Sequence, residues 1–162
     1  MQYFIKEKVF SFKDKFDITN EQQELLYQVE GKMFSFKNKL DLLLPSGEQI
    51  MYAEKKLFKI FPEFNIYSPT GEPLARIKQR FGFRPKFDVF EGHNELRVEG
   101  NFIAHSFTVE KNGKMAASII KKYFSFGDSY MIDVLDENSS ILYMFIVIII
   151  DQIAESNRRR SN

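Results

Sequence analysis

One nine-residue segment is written twice and then echoed to the end of the chain, and this repeat narrows the fold more than any other feature. Phe10-Ser-Phe-Lys-Asp-Lys-Phe-Asp-Ile18 returns as Phe34-Ser-Phe-Lys-Asn-Lys-Leu-Asp-Leu42, 24 residues later, with six of nine positions identical. Weaker copies run from Phe58 to Ile66, Phe81 to Val89 and Phe124 to Ile132, and a degenerate one ends His105-Ser-Phe-Thr-Val109. The last aromatic or leucine of each copy falls at 16, 40, 64, 87, 107 and 130. A regular recurrence of this length marks a supersecondary unit that buries its apolar face only against its neighbours.

Each copy has the same grammar. An alternating strand such as Phe16-Asp-Ile comes first. A polar turn follows, such as Pro45-Ser-Gly-Glu or Ser68-Pro-Thr-Gly-Glu, whose Pro and Gly supply restricted or positive φ values. A second alternating strand closes the unit, as in Ile50-Met-Tyr-Ala. Period-two alternation bounded by turn residues means hairpins. Ile5 to Phe10 resembles the second half of a copy, so the chain opens on a lone strand. Five hairpins and the first strand of the sixth copy, near Tyr130 to Leu135, bring the expected total to twelve.

Where a thirteenth strand would lie, Ile141 to Ile150 runs for ten residues without a polar break. A spanning helix needs about 20 such residues, so a helix buried inside protein is the better reading and a tail anchor the weaker one. Twelve meandering strands keep two open edges unless they close. A closed barrel of that size has a lumen wider than its own side chains fill, since about eight strands is the filled limit. The predicted architecture is therefore a mainly β, closed twelve-stranded antiparallel barrel threaded by one apolar C-terminal helix. An open sandwich with a separate helix explains the apolar run less well. The expected layout is a single domain over 1–157, with the central helix at about 139–157 capped by Asp136, Asn138 or Ser139, and a basic tail at 158–162.

The ladder of Phe-Ser-Phe-x-Asp-Lys-Phe repeats ending in an apolar helix resembles the LURP-one-related family within the tubby C-terminal-like fold, over about residues 2 to 155. Phospholipid scramblases are more distantly similar. The resemblance implies a binding module. Tubby domains bind phosphoinositides through surface basic residues, but no motif here carries those residues across. A scramblase-like protein anchored in the membrane by its C-terminal helix is the alternative that the resemblance implies.

Charge excludes some functions and localises others. Lys and Arg number 23 and Asp and Glu 22, for a net charge of +1, so nucleic acid is not an expected partner. The meander sends hairpin turns to one end and connectors to the other. Turn-end residues sum to −7 and connectors to +8, which predicts a barrel polarised along its axis. The densest basic cluster is Lys78, Arg80, Arg84 and Lys86, with Lys55, Lys56, Lys121 and Lys122 as candidate neighbours, and Arg158, Arg159 and Arg160 emerging at the same end. Such a cluster fits an anionic lipid headgroup, a phosphate-bearing ligand or a protein partner.

Motifs for chemistry are absent. There is no cysteine, and only His93 and His105 could add imidazole, so no cofactor or metal is implied. Asp17, Asp41, Asn65 and Asp88 occupy one repeat position and should face outward, on strands that are not adjacent. The chain holds 18 phenylalanines, and those of the Phe-Ser-Phe repeats read as core, their inward rings filling the space between wall and helix. The chain is expected to be a non-enzymatic monomer. Early charges at Lys6, Glu7 and Lys8 leave no room for a signal-peptide core, which predicts a cytoplasmic protein, peripheral at a membrane where it meets one.

Overall fold

Alternation decides the architecture, because every second residue of each strand must leave water. A computed structural model describes residues 1–8, 14–32, 39–57, 60–82, 86–101, 106–124 and 127–161; of these, 14, 32, 101, 122–124, 127–128 and 155–161 are described as backbone only. The strands are β1 (Gln2–Glu7), β2 (Asp14–Thr19), β3 (Leu25–Lys32), β4 (Lys39–Leu43), β5 (Gln49–Lys55) and β6 (Glu63–Tyr67), then β7 (Pro73–Arg80), β8 (Lys86–Glu91), β9 (Asn94–Asn101), β10 (Ser106–Lys111), β11 (Lys114–Phe124) and β12 (Gly127–Val134). Each pairs antiparallel with its sequence neighbours. β12 returns to β1 in the register Gln2↔Asp133 through Lys6↔Ser129, so the sheet closes as a barrel with no free edge.

The repeat is visible in the irregularities as well as in the strands. Bulges fall between Ile18 and Thr19, Leu42 and Leu43, Ile66 and Tyr67, and Val109 and Glu110, each time just before the hairpin turn. Bulges increase local twist, and placing them at one level bends successive strands alike, which helps a sheet close. The first expected strand lies a few residues earlier than read, and Phe10 falls outside the described residues, as does most of each Phe-Ser-Phe segment.

The helix α1 (Ser140–Ser161) follows a short 3-10 turn at Glu137–Ser139. It therefore carries on past 157, through the segment expected to be a tail. From Tyr143 to Ile150 no residue is more than 4% exposed, so the helix is enclosed on every side. It packs against inward residues of the wall, among them Ile5, Phe16, Ile18, Val29, Leu40, Phe64, Ile77 and Tyr130. β-Branched residues are weak helix formers, and here burial rather than propensity holds the element. Counted from Glu137 to Ala154 it reaches 18 residues, long and apolar enough by composition to cross a membrane, yet most of that stretch lies inside the barrel.

Asp136 precedes the 3-10 turn and makes no side-chain capping bond. Its carboxylate instead accepts from the Tyr143 hydroxyl at 2.7 Å and from Lys111 Nζ at 3.0 Å.

Candidate functional site

Two ends of the barrel differ in chemistry. At the turn end the helix entry is locked by a polar network. Lys111 Nζ lies 3.0 Å from Asp136 and 3.6 Å from Glu91, and it donates to Ser139 Oγ at 3.1 Å. Tyr3 donates to Glu137 at 3.0 Å. Burial, then the bond to Asp136, raises the Tyr143 phenol well above its ordinary range. The bonds from Tyr143 and Lys111 hold the Asp136 carboxyl below the usual carboxylate range, and Asp136 in turn raises Lys111. Every group has a partner, so this end reads as a structural lock.

The connector end is different. The outward repeat position is as expected, with Asp17, Asp41, Asn65 and Asp88 half-buried between buried neighbours. Asp17 pairs with Lys8 at 2.7 Å, Asp41 with Lys39 at 3.2 Å and Asp88 with Arg80 Nε at 3.5 Å. Further pairs join Lys15 to Glu30, Lys56 to Glu63 and Lys86 to Glu99 at 2.6, 3.1 and 3.0 Å. Three of these carboxylates, Asp41, Glu63 and Asp88, stand outside the connector segments and pair with cations inside them, and each removes one unit from the +8 read there. The end remains basic, with a weaker field than the connectors alone imply.

Register sorts the basic residues. Lys55 ends β5, Lys56 follows it, Lys78 and Arg80 lie on β7, and Lys86 opens β8 opposite Arg80. These five share one arc of the rim over β5–β8. Lys78 is exposed and makes no ion pair among the described residues. Arg84 lies outside the described residues. Lys122 is on β11, which β9 and β10 separate from the arc, and its side chain is not described. Lys121 is turned the other way. It faces the lumen with Ala117 and Ile119, 6% exposed, and its ammonium lies 2.8 Å from Asp151 of the helix. Successive strand residues face opposite sides, so only one of this adjacent pair can point outward.

The same arc carries exposed apolar tips that the sequence reading missed. Ile60 is 93% exposed and Phe81 88%, with Leu57 and Phe61 also in solvent. The Phe61 and Phe81 rings meet edge to face at 6.1 Å, tying the β5–β6 and β7–β8 connectors together. This corrects the expectation that the repeat phenylalanines are all core. Phe16, Phe64, Phe87 and Phe107 are buried, whereas Phe61 and Phe81 are not. Phe61 stands where the first two copies carry lysine, and Phe81 is followed by Gly82 where they carry serine; those departures were the available signal.

A closed antiparallel barrel threaded by its own helix, with a basic and apolar rim at one end, defines a structural class and a surface. The family model of LURP-one-related proteins matches residues 1–151, and the chain belongs to that family. It is similar to the uncharacterised protein YxjI of Bacillus subtilis, 29% identical over 161 residues that cover 99% of this chain and 98% of that one. An X-ray structure of a protein from Arabidopsis thaliana shares the fold with a TM-score of 0.65 and 18% identity, over 94% of this chain and 91% of the other.

Proposed function

We propose that the protein is a non-enzymatic cytoplasmic module that docks reversibly on anionic membrane surfaces through the β5–β8 arc of its connector end. The observation that carries this reading is the pairing of exposed apolar tips with a basic rim on one arc. Single exposed apolar residues are ordinary, but a cluster with cations around it is the arrangement a bilayer interface selects. Burying Ile60 and Phe81 at the acyl boundary contributes about 1.5–3 kcal/mol each, and each cation held near an anionic leaflet about 1 kcal/mol. The sum supports reversible rather than permanent attachment. The helix points toward this end, and its last turns hold Arg158, Arg159 and Arg160.

Vesicle co-sedimentation tests the reading, with phosphatidylcholine alone against phosphatidylcholine plus phosphatidylserine, at low and at physiological salt. Binding is expected only to the anionic vesicles, weakened by salt. An Ile60→Ser/Phe81→Ser variant, altered only at exposed positions, should lose about tenfold or more in affinity. Equal binding of the variant, or no binding to anionic vesicles at low salt, would overturn the proposal and leave a protein partner for this rim.

A further inference from the structure

On the opposite side of the barrel from the basic arc, the outer face of β12–β1–β2 is hollowed into a groove of about 300 Å³. Its floor follows from register. Phe4 stands between Thr19 and Met131, and Lys6 between Asp17 and Ser129. Gln23, from the turn between β2 and β3, forms part of the wall. The volume is at the small end of the range for organic ligands.

Two observations say what the groove would take. The first is its unspent polar chemistry. The Asp17 carboxylate is already matched by Lys8 at 2.7 Å and by the Gln28 amide at 3.0 Å. The side chains of Lys6, Thr19, Gln23 and Ser129 have no hydrogen-bond or ion-pair partner among the described residues. One uncompensated ammonium and two hydroxyls thus surround an aromatic ring and a thioether.

The second is a departure of the chain from its own repeat. Three hairpin turns, 24 residues apart, share one hydrogen-bond pattern: Gln23 N to Asn20 O, Gly47 N to Leu44 O and Gly71 N to Ser68 O, at 3.1, 2.9 and 3.0 Å. The donor residue has positive φ in each, +64° at Gln23 and +90° at both glycines. Glycine adopts that conformation freely, while an L side chain is strained in it. Glutamine replaces glycine in the one of these three turns whose residue lines the groove. Strain retained at a pocket points to use of the side chain.

We infer that the β12–β1–β2 groove binds a small aromatic carboxylate, its ring on Phe4 and Met131 and its carboxylate on Lys6, with Thr19, Ser129 and Gln23 as hydrogen-bond donors. The inference is independent of membrane docking, since β1 and β7 lie six strands apart around the barrel.

The test is a titration of the full chain with 2-naphthoate and with neutral 2-naphthamide, followed by amide NMR shifts. Saturable shifts are expected at residues 4–6, 17–19 and 129–131. Lys6→Gln should weaken naphthoate about tenfold, to the level of naphthamide on the unaltered protein. Gln23→Gly should raise the melting temperature by about 2–4 °C while weakening naphthoate, a combination that a purely structural glutamine would not give. Ser129→Phe, on the outer face, should fill the groove and abolish the shifts. Absence of saturable shifts, shifts centred on the connector tips, or naphthoate affinity unchanged in Lys6→Gln would overturn the inference.

Discussion

Replacing Lys121 by methionine should destabilise the barrel by about 3–5 kcal/mol, and replacing Asp151 by leucine should do the same. The Lys121 and Asp151 side chains are 4% and 6% exposed and lie 2.8 Å apart. Lys121 Nζ also sits 5.2 Å from the centre of the Tyr130 ring, which lends the ammonium some further support. Either single change takes from a buried charge the opposite charge that lies 2.8 Å away. Against a total stability of about 5–15 kcal/mol for a domain, that removes a fifth or more of the margin. The double variant Lys121→Met/Asp151→Leu removes both charges of the pair. It should return to within about 1 kcal/mol of the parent or exceed it, because a buried ion pair gains little over well-packed apolar residues. Urea unfolding, followed by circular dichroism and tyrosine fluorescence, closes the double-mutant cycle. Single variants that lose less than about 1 kcal/mol would refute this reasoning, as would a double variant no better than the worse single. The first result would mean that the pair is hydrated, and the second that the two residues pack rather than compensate.

The turn-end lock makes stability depend on pH. Tyr143→Phe removes the 2.7 Å bond to Asp136, a charge-assisted contact of about 1.5–3 kcal/mol. Because the folded carboxyl is held below its ordinary value, that stabilisation is complete above about pH 4 and fades as pH falls through the lowered value. The gap in urea midpoint between the two proteins should therefore be full at neutral pH and narrower near about pH 3, and a constant gap would contradict the assignment. Gly31→Ala should cost about 1–3 kcal/mol or more by overpacking. A Cβ there would press on the Lys39 carbonyl oxygen and lie 2.9 Å from Leu40 Cα, and backbone cannot yield as a flexible side chain does. A melting temperature equal to the parent's would show that β3 and β4 can separate at that point.

Much of the fold was legible because it is written in periodic signals. The 24-residue offset locates the early hairpins, alternation assigns the inward set, and the unbroken run from Ile141 to Ile150 demands enclosure. Strand number and barrel width then require something in the lumen. The functional surfaces were less legible because each hides behind a rule that holds elsewhere. Phe81 shares a repeat position with residues read as core, but Gly82 interrupts the strand pattern and the ring is left at the rim. Lys121 belongs to a Lys-Lys pair that reads as surface. The parity set by Ala117 and Ile119 turns it inward, where it meets Asp151 of the helix.

Gln23 shows why the repeat is informative a second time, through its exceptions. Where a copy agrees with its neighbours, local preference and global fold point the same way, and nothing beyond folding need be invoked. Where one copy carries a residue its own backbone disfavours, stability alone would have kept the glycine of the sister turns. The misfit then has to be explained by what the side chain faces, and at Gln23 it faces a groove whose ammonium and hydroxyls have no partners among the described residues.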